Sequence, residues 1–230
     1  MKKILSILVV FVSVFALTGC VNPLKKVSNG VENVPITEPQ EKTTNSNTIS
    51  ATTKKHADVN LDEDYFFMVK GKKYKAGDKV SNLASVNLKQ DSKVVDQKIN
   101  KNTYLIGGGN IYNSDDKRVF TVTPFNSSSE EITAKYAEIG GFEAGSYSYD
   151  SIAKETLDLD ISVVGGITFG STYEEVSSVF GTTDNTYYAE SLGYTVYTYK
   201  SDKIYRSYEI TVDKNNKVSK IKWQNLEYNR

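Results

Sequence analysis

Three runs between Tyr194 and Trp223 alternate apolar and polar residues with a period of two, and that pattern leaves few folds open. A strand built this way buries one face and wets the other, so it needs a second layer over its apolar side. In "YTVYTYK" Tyr197 and Tyr199 share a face. In "IYRSYEITVD" Ile204, Tyr208, Ile210 and Val212 lie opposite Tyr205, Ser207, Glu209 and Thr211, and in "KVSKIKWQ" Ile221 and Trp223 share a face. "DKNNK" at 213–217 supplies the Asp and Asn residues of a hairpin connection. The spacing predicts a three-stranded antiparallel meander.

The covering layer comes just before it, in "GGITFGSTYEEVSSVFG" at 165–181. Val176, Val179 and Phe180 are spaced i, i+3, i+4, one apolar stripe over two helical turns. Ser171 and Glu174 have capping-box spacing, and Thr172 with Glu175 offers the same box one residue on. Gly181 supplies a left-handed stop. Gly165, Gly166 and Gly170 match neither G-x-x-x-x-G-K-[ST] nor G-x-G-x-x-G, so the glycines punctuate a helix and do not cradle a phosphate.

Upstream, "YFFMVKGKKY" reads as two short strands about Gly71, and "TYLIGGGNIYN" as two more about Gly107 to Gly109. "KVVDQKI" lies between them. "KRVFTVTPF" alternates, with Val119, Thr121 and Thr123 on one face, and Pro124 predicts a strand end or a sheet edge there. The stretch 129–139 fits two structures. Ile132, Tyr136 and Ile139 have helical spacing behind a Ser128–Glu131 box, while its place after a strand fits a hairpin partner. "GKKYKAGDKVSNL" at 71–83 also echoes "GITFGSTYEEVSSV" at 166–179, with Val80 and Leu83 answering Val176 and Val179. The fold class expected is α+β: short helices on antiparallel meanders, in two tandem related halves if the echo is real. The modules would be 58–155, β-rich, and 156–230, helix plus meander.

The N-terminal residues are of another kind. Lys2 and Lys3 precede an apolar run from Ile4 to Leu17, at about 14 residues too short for an ordinary membrane span. Residues 1–19 read as an export signal. Leu17, Thr18, Gly19 and Cys20 resemble the bacterial lipoprotein signal, in which cleavage precedes a cysteine that then carries lipid. The resemblance implies acyl chains on Cys20 and a place on the cell membrane facing outside the cytoplasm; two or more chains anchor stably. Residues 20–57 contain three of the four prolines and are otherwise dominated by Thr, Asn, Ser, Lys and Glu. That composition predicts a flexible tether, about 35 Å from end to end.

Cys20 is the single cysteine, so no thiol is left for a disulfide, a redox centre or a nucleophile. The single histidine, His56, falls in the tether, which leaves the folded part without an imidazole base or a His/Cys zinc site. Basic and acidic residues balance at 28 each, and nothing in the charge favours nucleic acid. Asp62-Glu63-Asp64, Asp115-Asp116 and Asp158-x-Asp160 are the carboxylate clusters, and none has calcium-loop spacing. No catalytic residue, metal or cofactor is assigned. Tyrosine is the richest functional residue, with 16 in the chain. It offers a large contact area at low entropy cost and favours interfaces. Tyr187, Tyr188, Tyr194 and Tyr205 are the candidate binding residues.

Gly170, Thr172, Glu175, Val176, Phe180 and Gly181 form the pattern Gly-x-Thr-x-x-Glu-Val-x-x-x-Phe-Gly. It resembles the helix signature of Gram-positive lipoproteins with a BLIP-like or outer-membrane-assembly-lipoprotein-like fold, and Val218, Ile221 and Trp223 fit the same pattern. The likeness is good over the C-terminal module and weak before it, and Thr183 stands where the family often has proline. It implies a protein-binding or assembly role without catalysis. Capture of a ligand for uptake and a two-carboxylate wall hydrolase are the alternatives.

Overall fold

The computed structural model describes residues 59–226. The expected signal peptide, Cys20, the whole of the expected tether at 20–57 and His56 lie outside them.

The chain begins with a hairpin, β1 (Phe66–Val69) and β2 (Lys72–Lys75), followed by a 3₁₀ helix at Val80–Val86. Short strands β3 (Lys89–Gln90), β4 (Lys98–Ile99), β5 (Thr103–Tyr104) and β6 (Asn110–Tyr112) lead into β7 (Arg118–Asn126). After β8 (Ile132–Thr133) and a 3₁₀ turn comes β9 (Glu138–Gly145). Two helices follow, α1 (Lys154–Leu157) and α2 (Tyr173–Phe180), and then β10 (Thr186–Ala189), β11 (Tyr194–Lys200), β12 (Arg206–Asp213) and β13 (Val218–Asn225). The architecture is mostly antiparallel β-sheet with few short helices, consistent with the expected α+β class and equally with a mainly β one.

Strands from both sides of residue 155 form one nine-stranded sheet, ordered β10-β11-β12-β13-β9-β7-β6-β3, with β5 also on β7. β13 pairs with β9 through Trp223 opposite Phe142. The order runs inward in chain sequence from each edge, so the last strand of each series meets the other at the centre. Each series follows a hairpin and a helix. Before α2 the hairpin is minimal: Val163 N donates to Ile167 O at 2.8 Å, and Ser162 bridges Thr168.

One face of the sheet carries the core. Phe67 of β1 stacks on Phe142 at 4.3 Å between ring centroids and lies 6.3 Å from Trp223. Tyr65 stacks on Tyr208 at 5.2 Å, and Phe180 of α2 meets Tyr199 and Tyr208 at 4.9 and 5.1 Å. Such pairs add about 0.5–1.5 kcal/mol each beyond their buried area. The apolar pairs of the echo, Val80 with Leu83 and Val176 with Val179, are all buried against this layer. Tyr208 is fully buried, as the alternation of its strand predicts.

Several expectations are corrected. The cap of α2 lies one residue beyond Ser171: Thr172 Oγ1 accepts from Glu175 N, and Glu175 Oε2 accepts from Thr172 N at 2.7 Å. Gly181 ends the helix at φ 80, ψ −170, outside the left-handed helical region and in a region almost reserved for glycine. The C-terminal meander has four strands, because β10 precedes the expected three. Ile204 lies ahead of β12 in an exposed turn. Residues 129–139 form no α-helix; Ser128 turns to Asn126, Glu131 pairs with Lys98, and the segment leads into β9, hairpin partner of β7. β5 and β6 both pair with β7 and not with each other. Pro124 sits inside the sheet at a register shift between β7 and β9, where a bulge tolerates the missing N–H.

Candidate functional site

Strand alternation turns a second set of side chains away from the core. On β13 these are Lys220, Lys222 and Gln224, interleaved with buried Ile221 and Trp223. Their Cα partners carry Glu143 and Gly141 on β9 and Glu209 and Thr211 on β12. β7 adds Thr121 and Thr123, and β11 adds Tyr194, Val196 and Thr198. This open face carries two adjoining depressions that share Lys222. One, of about 250 Å³, lies between the glycine turn and the sheet, lined by Tyr104, Ile106, Thr121, Thr123, Lys222 and Gln224. The other, of about 180 Å³, is lined by Tyr147, Tyr187, Tyr194, Glu209, Thr211 and Lys220.

The floor is charged but internally compensated. Lys220 pairs with Glu143 at 2.6 Å and Lys222 with Glu209 at 2.9 Å. Lys220 is half-buried, and burial disfavours its charged form; the Glu143 carboxylate more than offsets that and holds its pKa above the ordinary lysine value. Its ammonium also lies 4.7 Å from the ring centroid of Tyr147, which stacks on Tyr194 at 4.6 Å. Aromatic and apolar side chains rim this floor at both ends: Tyr104 and Ile106 on one side, Tyr147 and Tyr187 on the other. Ile106 is 84% exposed, the most exposed of the large hydrophobic residues among those described. The glycine turn that presents it is fixed by close approach, since a Cβ on Gly109 would lie 1.6 Å from the Val122 carbonyl oxygen.

The four candidate tyrosines do not form one patch. Tyr187 and Tyr194 share the open face, Tyr187 exposed and Tyr194 covered by Tyr147. Tyr188 is exposed and points to the other face of β10. Tyr205 is exposed in the turn before β12, at the far end of the β11–β12 hairpin from Tyr194. Leu17, Thr18, Gly19 and Cys20 lie outside the described residues. Tyr104, Ile106, Tyr147, Glu143, Lys220 and Lys222 belong to the face without having been singled out. The lysines were legible in the alternation of β13; Tyr147 was not, because only the fold brings it to Tyr194.

None of the three carboxylate clusters lines this face. Asp62 faces Arg206 and accepts from Ser201, while Asp64 accepts from Asn60 N. Asp116 pairs with Lys89, and Asp158 pairs with Lys154 one helical turn away. Among the described residues no group of three or more His, Cys, Asp or Glu could hold a metal ion, and no helix is long and apolar enough to cross a membrane. Comparison with protein-family models, curated proteins and solved structures returns no match.

Proposed function

We propose that this chain is an exported lipoprotein, anchored through Cys20 in the cell membrane, whose folded part is a non-catalytic module that binds another protein on the open face of its sheet. The observation that carries the reading is the composition of that face. Its charges satisfy one another, so they give a partner little net field, and its aromatic rim offers contact area without a deep closed cavity. Tyrosine is enriched where proteins meet, and lysines already paired with glutamates leave no uncompensated charge for a partner to bury. The two carboxylates on the face are each held by a lysine, which leaves neither placed as a free acid or base and disfavours the hydrolase alternative. The depressions are open, which disfavours capture of a small ligand.

The finer fold reading belongs to the same proposal. Two series of hairpin, helix and four strands, joined through their last strands, support two tandem halves of BLIP-like type. The insertions that distinguish the first half hold β4, β5 and β8, and β5 places Tyr104 on the face. A photo-crosslinking residue at Tyr187 or Ile106, expressed in intact cells, tests the binding claim. It should join the protein to a discrete partner band, while the same residue at Tyr136, exposed elsewhere, should not. Equal crosslinking at all three positions would contradict it.

A further inference from the structure

The two edges of the nine-stranded sheet are built differently. β3 is two residues long and carries Lys89, paired with Asp116 at 2.7 Å. Shortness and charge are devices that keep an edge strand from pairing with other chains. β10 has no lysine, no proline and no register shift against β11. Tyr187 and Tyr188 are both 63% exposed, and Leu192 in the following turn is 66% exposed. Asn185 O accepts from Thr198 N at 2.9 Å, and this sets the phase of the ladder. Antiparallel alternation then turns the main-chain groups of Tyr187 and Ala189 toward β11, and the Tyr188 N–H and the Thr186 and Tyr188 carbonyls away from it. The residues flanking this free edge, Asp184 and Glu190, are acidic and exposed.

We propose that the free edge of β10 docks an extended segment of a partner protein with basic residues at its ends, which adds to the sheet as a further strand. The partner's main chain pairs with the outward groups of Thr186 and Tyr188, and main-chain pairing of this kind is how extended peptides join exposed sheet edges. β-branched or aromatic side chains of the segment lie beside Tyr187 on one face and Tyr188 on the other, and its Lys or Arg ends meet Asp184 and Glu190. A second copy of this chain fits less well. An antiparallel β10–β10 pair centred on Thr186, Tyr187 or Tyr188 brings Asp184 of each copy opposite or diagonal to Glu190 of the other, and facing like charges destabilise a strand pair. The main-chain contacts of this proposal lie on the edge and not on the open face; Tyr187 borders both, so the Tyr188 amide reports on the edge and Ile106 on the open face.

The test is an amide-resolved titration of the full chain with the heptapeptide Ac-Lys-Val-Thr-Val-Thr-Val-Lys-NH2, whose end residues fall on one face as Asp184 and Glu190 do, and its counterpart with Glu at both ends. The lysine-ended peptide should shift and protect the Tyr188 amide and bind about tenfold more tightly than the glutamate-ended one. Tyr188→Pro removes an outward N–H, which an edge strand tolerates, and should abolish binding with β11 pairing intact. If that variant does not fold, Asp184→Lys with Glu190→Lys serves instead and should invert the preference between the peptides. No shift at Tyr188, equal affinity for the two peptides, or self-association through β10 without peptide overturns the proposal. Crosslinks from Ile106 report on the open face alone, so the two readings fail on different data.

Discussion

Replacing Thr172 by Ala tests where α2 begins and how much its start contributes. The helix is eight residues long, too short to hold itself in water, and it depends on its cap and on Val176 and Val179 against the core. The substitution removes the acceptor for Glu175 N and leaves that amide without its cap. Loss of such a cap costs about 1 kcal/mol. For a protein of this size that lowers Tm by about 2–4 °C. Ser171→Ala is the comparison, because Ser171 Oγ only accepts from Thr168 N, at 3.3 Å, in the preceding turn. Its cost should be about 0.5 kcal/mol. Calorimetry gives the two Tm values, and urea unfolding gives the midpoints; an unchanged m-value shows that stability alone has moved. A larger loss in Ser171→Ala than in Thr172→Ala would refute the reasoning and return the cap to Ser171.

Three further outcomes are expected. Gly109→Ala must push β6 off β7 and should cost about 2–4 kcal/mol, whereas Gly107→Ala, at φ 73 with open space around it, should cost about 1 kcal/mol by urea unfolding. Burial pushes the Tyr65, Tyr199 and Tyr208 phenols well above the ordinary value of 10.0, so the folded state favours their neutral form. Stability from these groups is fully present below pH 10 and falls as the unfolded chain ionises above it, so phenolate absorbance from the three should rise only as near-UV circular dichroism is lost. Cys20→Ala should move the protein from the membrane fraction to the soluble exported fraction, and equal fatty-acid labelling of both forms would contradict the anchor.

What could be read from the sequence was local. The stripe of α2, the "DKNNK" hairpin and the alternation of β12 and β13 depend on residues a few positions apart, and their elements stand where they were expected. β10 escaped notice because Thr186, Tyr187, Tyr188 and Ala189 carry no alternation; the strand exists because β11 offers it a partner. Pro124 pointed to an edge by its own chemistry, yet the bulge against β9 admits it to the sheet interior, and a bulge is a property of two strands. The pairing of β9 with β13 joins residues far apart in the chain, and no periodic signal announces it. The candidate site follows the same division: Lys220 and Lys222 were placed by alternation, while the cover that Tyr147 gives Tyr194 required the fold.

The central claim is that the open face is occupied in the cell. Tyrosine-directed radical footprinting measures it directly, because the chain carries its own references: Tyr104, Tyr147 and Tyr187 on the face, and exposed Tyr136 and Tyr205 away from it. In membranes of intact cells, compared with the purified protein, the three facial tyrosines should lose reactivity while Tyr136 and Tyr205 keep theirs. Unchanged reactivity at Tyr104, Tyr147 and Tyr187, or protection confined to Tyr136 and Tyr205, would contradict the account.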